Sequence, residues 1–257
     1  MVTYSRPVSG MRMQNHQFET RLAVDEADIR AAQRLRYEVF VEEMGAKASA
    51  ADMAERLERD RFDPYFDHLL LLHDGRVIGA YRLMRSDMAS KGIGFYSAAE
   101  FDLGKLENRN ALELGRSCVA KAHRGGLGMH LLWDAVGDYV MRHKIDVLFG
   151  VASFHGVALL PLKQALTFLH HKYLAPEDLR VRSKAYQSLD QMAWEQVDQR
   201  AALAQIPPLI RAYLRLGGFV GDGAFVDDGF NTVDVCLIMD TKRMVRRYKD
   251  FYSKERV

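Results

Sequence analysis

A chain of 257 residues can bury one large core or two modest ones, and 48% hydrophobic with 27% charged residues is the composition of an ordinary globular protein. With 36 basic against 34 acidic residues the net charge is only +2, which excludes the bulk positive field of a nucleic-acid binder. Cys118 and Cys236 lie far apart and fit no metal-ligand spacing, so no metal is expected and a reducing cytoplasm is the simplest setting. The first residues carry no apolar secretory core, and no apolar run approaches the ~20 residues needed to span a bilayer. Membrane contact, if made, is expected to be peripheral.

In chain order, residues 1–17 read as a loose arm and 18–257 as one domain with a C-terminal extension from about 174. A first strand covers 18–24. Asp25 can cap the helix that follows, whose apolar stripe Ala31, Leu35, Val39, Met44 stops at Gly45. Residues 49–59 form a more polar helix or ordered loop. Strands over 68–73 and 76–84 are joined by Asp74-Gly75, a strong hairpin signal. After an irregular stretch, 85–110, come a strand over 111–119, a helix over 129–143 and a buried strand over 146–151. A helix over 157–173 and a polar, partly helical stretch, 174–206, follow. The chain ends with a helix over 208–216, strands over 219–226 and 232–239, and a basic helix over 241–252. This order predicts an α/β sandwich around one mixed sheet.

The most informative segment is 111–151. Its strand places Glu113 and Arg116 among apolar residues, and a glycine-rich turn flanked by basic side chains follows, Lys121-Ala122-His123-Arg124-Gly125-Gly126-Leu127-Gly128. A helix N-terminus after such a turn presents free N–H groups to a phosphate, glycine lets the backbone approach closely, and Arg124 adds charge-assisted hydrogen bonds. Arg124, Gly125, Gly126 and Gly128 are therefore the candidate phosphate cradle.

These residues resemble the Gcn5-related N-acyltransferase fold, and more closely its acyl-carrier-protein-dependent branch of acyl-homoserine lactone synthases and ornithine-lipid N-acyltransferases. The lactone synthases' Arg-x-x-x-Phe is matched by Arg36 and Phe40, and their Asp-x-x-Asp by Asp60 and Asp63. Their third-strand arginine is matched by Arg82, and their Glu-x-x-Arg by Glu113 and Arg116. The tryptophan they carry after the phenylalanine is missing, with Glu43, Met44 and Gly45 in that stretch. Over roughly 19–252, including 152–156, 209–218 and 231–235, the chain looks like ornithine-lipid N-acyltransferases. The resemblance implies a mixed central sheet flanked by helices, with C-terminal additions. It also implies transfer of a 3-hydroxyacyl chain from acyl carrier protein to the α-amine of ornithine, giving lyso-ornithine lipid. No cofactor is implied beyond the acyl-phosphopantetheine of the donor.

Amide formation from a thioester needs a neutral amine, and an α-amine is largely protonated at neutral pH. Glu113 is the candidate base; the alternative is a strand carboxylate paired to Arg116. Residues three apart in a regular strand face opposite ways, so joint use of Glu113 and Arg116 requires a bulge. Asp60 and Asp63 are candidates for the acceptor's ammonium, or a solvated loop. Arg36 could pair with one of them, and Arg82 could hold a carboxylate. His155, after a core strand, is a candidate ligand contact. Cys118 has no histidine at readable spacing and reads as a small core residue, which argues against a covalent route. The basic segment within 241–257 could meet an acidic carrier protein or an anionic inner-membrane surface. Rival readings are acylation of glutamine, glycine or another amino acid, and a non-catalytic module that binds acylated carrier protein or lipid.

Overall fold

The structure is a computed structural model in which residues 17–125 and 127–243 are described. The strands are β1 (Phe18–Leu22), β2 (Asp67–His73), β3 (Arg76–Arg85), β4 (Phe101–Asp102), β5 (Ala111–Val119), β6 (Val147–His155), β7 (Arg182–Ser183), β8 (Phe219–Val220), β9 (Phe225–Asp227) and β10 (Thr232–Asp240). The α-helices are α1 (Glu26–Arg36), α2 (Ala50–Glu55), α3 (Ser86–Lys91), α4 (Leu127–His143), α5 (Lys163–Tyr173), α6 (Gln199–Gln205) and α7 (Pro208–Arg215). They cluster into two compact units, residues 1–84 with 114–144, and residues 85–113 with 145–257.

In the first unit β1 pairs antiparallel with β2 and β2 with β3, while β5 lies beside β3. Asp74 and Gly75 both adopt positive φ, 49° and 75°, as the two-residue hairpin turn requires. α1 starts where Asp25 Oδ1 accepts from the Asp28 N–H at 2.9 Å. The helix was expected to run unchanged to Met44. Instead it widens after Arg36 into a π-helical segment, Tyr37–Glu43, which ends beside a left-handed Gly45. Ala32, Leu35 and Val39 pack with Leu70, Leu72, Ala80 and Cys118 to form a core. α4 lies against the sheet closely enough that a Cβ on Gly79 would meet Leu132 Cδ1 at 3.0 Å.

The second unit is built on β10, which pairs antiparallel with β6 through nine residues and carries β8 and β9 on its other side. β5 pairs parallel with β6 only from Ala111 to Glu113. The apolar face of these strands, with Phe149 and Ile238, packs on Phe101, Leu106, Leu179 and Val181. β6 runs four residues beyond the expected 151, to His155, and the strand expected over 219–226 is broken into β8 and β9. The break falls at Gly221, where a Cβ would lie 2.8 Å from Val181 Cγ2. The stretch 85–110 contains α3, β4 and 3₁₀ turns at Tyr96–Ala99 and Gly104–Leu106. The helix expected from 157 begins at Lys163, after a 3₁₀ turn at Leu160–Leu162.

Candidate active site

Within the first unit, three guanidinium groups meet three carboxylates. Arg36, fully buried at the end of α1, donates through Nε to Glu58 and through Nη1 to Asp63 Oδ1 at 2.7 Å. Arg82 Nη1 reaches the same Asp63 oxygen at 2.7 Å and Asp60 Oδ1 at 2.8 Å, and its guanidinium lies 4.4 Å from the Phe66 ring centroid. Arg116 donates through Nε to Glu58 Oε1 at 3.1 Å and through Nη2 to Asp60 Oδ2 at 3.4 Å. Gln33 Nε2 supplies Asp63 Oδ2 at 2.9 Å, and His68 Nε2 stands 3.0 Å from the Asp63 carbonyl. The pairing expected between Arg36 and an aspartate is therefore present. Gln33, Glu58 and His68 were not legible, because none belongs to a periodic or motif pattern.

Burial opposes ionisation of Glu58, but Arg116 and Arg36 outweigh it and hold the carboxyl at about 2. Asp63 is driven lower than an ordinary carboxylate by the same contest, burial losing to Arg36 and Arg82. Burial also pushes the His68 pKa down. Asp60 keeps 20% of its side chain exposed, against 6% for Asp63. A ligand ammonium reaching either acid competes with arginines already in place.

Arg116 has φ +52°, a left-handed residue inside a strand, and Gly115, Arg116 and Ser117 are its half-buried stretch. A positive φ there departs from regular strand geometry. Glu113, in the second unit, is 2% exposed. Its Oε2 accepts from the Tyr96 N–H at 2.8 Å and its Oε1 from the Ser97 N–H at 2.7 Å. The carboxylate thus fixes the start of the turn Tyr96–Ala99, a contact that strand periodicity could not indicate.

At the glycine turn, Arg124 Nε donates to the Val119 carbonyl at 2.8 Å, and Nη1 pairs with Glu43 at 2.8 Å. Gly125 has φ +77°. Gly126 lies outside the described residues. A Cβ on Gly128 would sit 3.1 Å from Leu71 Cδ2, so this glycine serves helix-to-sheet packing. Phe40 is half-buried in the π-helical segment, against the Leu35 and Val39 core. His155 is exposed at the end of β6, opposite Thr232. Of the expected basic helix, Thr241–Arg243 is described and the remainder is not. Among the described residues no helix is long and apolar enough to cross a membrane.

A family model described as an acetyltransferase (GNAT) domain matches residues 35–134. The fold is that of FeeM, an N-acyl amino acid synthase from uncultured soil microbes, with a TM-score of 0.51 at 12% identity over 90% of this chain and 94% of that one. The molecule is thus a GNAT-fold acyltransferase. It is 53% identical over 246 residues to the L-ornithine N(alpha)-acyltransferase of Rhodobacter capsulatus, covering 92% of this chain and 95% of the relative. The protein of the same name from Brucella abortus is 43% identical over 250 residues, covering 92% and 89%. The chain belongs to this family of N-acyltransferases.

Proposed function

We propose that this protein transfers a 3-hydroxyacyl chain from the phosphopantetheine of acyl carrier protein to the α-amine of ornithine, giving lyso-ornithine lipid. The observation that carries the reading is the 53% identity, over nearly the whole of both chains, to an enzyme named for acylating the α-nitrogen of ornithine. In the reaction the amine nitrogen attacks the thioester carbonyl, the C–N bond forms and the C–S bond breaks. The amine proton passes to a base, and the departing phosphopantetheine sulfur leaves as thiolate and is protonated.

Glu113 is the base in this reading. The Tyr96 and Ser97 N–H groups orient its carboxylate, which takes the proton through one water. N–H groups along 113–119 stabilise the oxyanion, and Arg116 acts on that strand while anchored by Glu58 and Asp60. The start of α4, with Arg124 and Gly125, receives the phosphate of the donor arm. Arg36 and Asp63 hold Arg82 and Asp60 in place, and Asp60, the most exposed acid of the network, is the member open to a ligand. Phe40 and His155 are further substrate contacts. The enzyme works in the cytoplasm at the inner face of the membrane, with the basic residues beyond 241 as its contact.

The test is the reaction of purified protein with 3-hydroxyacyl-carrier protein and either ornithine or glutamine, followed by mass spectrometry. The expected product is Nα-acyl-ornithine in large excess. Preference for glutamine would overturn the acceptor, and no thioester turnover with either would favour a non-catalytic binding module.

A further inference from the structure

In the second unit β6 ends in a run of apolar residues that the fold leaves outside. After His155 the chain reads Gly156-Val157-Ala158-Leu159-Leu160-Pro161-Leu162, and α5 opens on Lys163. Val157 is 39% exposed and Leu160 75%, the most exposed large apolar side chain among the described residues. Ala158 and Pro161 are exposed as well, and Leu159 and Leu162 are half-buried. A lone exposed leucine is ordinary, but an unbroken apolar run at one tip marks a contact surface.

The tip is held in shape by its own backbone. Gly156 takes φ +86°, and its N–H donates to the Asn231 carbonyl at 2.8 Å where the chain leaves the β6–β10 ladder. The Leu162 N–H donates to the Leu159 carbonyl at 2.9 Å and the Lys163 N–H to the Leu160 carbonyl, closing the 3₁₀ turn. Pro161 has no N–H to leave open. Each N–H satisfied in this way lowers the polar cost of taking the tip out of water.

Charge along this stretch has one sign. Residues 147–176 contain no aspartate or glutamate, whereas His155, Lys163 and Lys172 are exposed. His171 is exposed too, but its Nε2 already stands 3.2 Å from Asp190. The neighbouring turn 228–231 brings one acid, Asp228, together with the half-buried Phe230. An apolar tip with a cation at its base fits an anionic bilayer surface, where leucine enters the acyl boundary and lysine stays among the headgroup phosphates. A second copy or another protein would ask for about 20 residues or more on each side, far beyond what this tip presents.

We infer that residues 157–162 insert into the headgroup boundary of an anionic bilayer, with Lys163 on the lipid phosphates; this rests on the reading above that the product is a lipid. An acylated amino acid leaving the enzyme has to reach a bilayer, and the tip continues directly from β6 in the unit that carries Glu113. The contact differs in kind from one made by the basic residues beyond 241. Charge alone is screened by salt, whereas apolar insertion adds a part that salt does not screen.

The experiment uses the full chain and vesicles of phosphatidylcholine with or without phosphatidylglycerol. Cys118 and Cys236 are buried, so a polarity-sensitive fluorophore can be placed on the one accessible thiol of Leu160→Cys, and on Asn108→Cys, at another exposed position, as control. Emission from position 160 should shift to the blue with the phosphatidylglycerol vesicles, and emission from position 108 should not. Unlabelled Leu160→Asp should lower co-sedimentation with the same vesicles about fivefold or more. Its turnover of carrier-protein thioester in vesicle-free buffer should match wild type, which also checks its folding. An unshifted emission at position 160, or undiminished co-sedimentation of Leu160→Asp, overturns the inference and leaves any membrane contact to other residues. A blue shift that follows protein concentration without vesicles assigns the tip to a second copy and overturns it as well. Failure of wild type to acylate ornithine would instead remove the underlying reading, a result distinct from these.

Discussion

Arg36 Nη1 donates to Asp63 Oδ1 at 2.7 Å, and that oxygen also accepts from Arg82 at 2.7 Å. One carboxylate from the loop before β2 therefore neutralises two buried cations, from α1 and from β3. Removing it leaves both without their shared partner, and breaking a buried ion pair from one side costs about 3–5 kcal/mol. Asp63→Asn and Arg36→Met should each destabilise the protein on that scale. The double variant should lose less than the sum, because its second change removes a charge the first had stranded. Urea denaturation of the three variants checks this, and strictly additive losses below about 1 kcal/mol would show that the pair is not coupled.

Acid should unfold the protein through the same network. The folded pKa of Glu58, about 2, lies below the ordinary 4.5, so the folded state binds the proton less readily than the unfolded chain. This contribution is complete above about pH 4.5 and is lost as pH falls from there towards 2. A shift of that size corresponds to roughly 3 kcal/mol. Urea denaturation at pH 3, 5 and 7 should show a steep stability loss in wild type and a shallower one in Glu58→Gln, on a lower baseline. Parallel slopes in the two proteins would remove Glu58 as the acid-sensitive group.

Glu113→Gln tests the base, with a control for its structural contacts. Glutamine keeps one acceptor oxygen and presents an amide nitrogen to whichever of Tyr96 and Ser97 the oxygen does not serve, so the turn should loosen modestly. Turnover should fall about 10²-fold or more, with a smaller change in the KM for the carrier-protein thioester. A turnover loss explained wholly by reduced folded fraction, read by circular dichroism in the same buffer, would reduce Glu113 to a structural residue.

Much of this architecture is legible from short-range signals. The Asp25 cap, the Asp74-Gly75 turn and the strand–turn–helix–strand run at 111–151 each have a local cause, and each stands where the sequence puts it. The π-helical widening after Arg36 is invisible because apolar spacing scarcely distinguishes it from continued α-helix. The break between β8 and β9 depends on how closely Val181 approaches Gly221, a tertiary contact with no sequence signature. Arg36, Asp60, Asp63, Arg82 and Arg116 were legible as site candidates through the resemblance to the lactone synthases' motifs. Glu58 was not, since two residues before Asp60 it looks like any acid in a polar stretch.

Arg124 has a structural task that sharpens its own test. Its Nε closes the Val119 carbonyl and its Nη1 pairs with Glu43, so the guanidinium is held beside the start of α4. Arg124→Ala should raise the KM for the acyl-carrier-protein thioester about tenfold while changing the KM for ornithine little, because only the donor brings a phosphate. Glu43→Gln should reproduce part of the effect by loosening the arginine without removing it. Equal increases for donor and acceptor in Arg124→Ala would point to disturbed folding of the turn instead of phosphate recognition.

The acyl group should never rest on the protein. Cys118 is buried on β5, and burial pushes its thiol up to about 12, leaving almost no thiolate at neutral pH. Cys236 is buried and pushed up as well. Direct attack by the amine then has no cysteine competitor, and the kinetics should be sequential, not ping-pong. Iodoacetamide at pH 8 should leave both thiols of the native protein unlabelled and label them after denaturation. Cys118→Ala should retain turnover within a few-fold, at a stability loss of about 1–2 kcal/mol for the methyl-sized void. An acylated Cys118 peptide trapped with donor alone, or loss of turnover in a folded Cys118→Ala protein, would restore the covalent route.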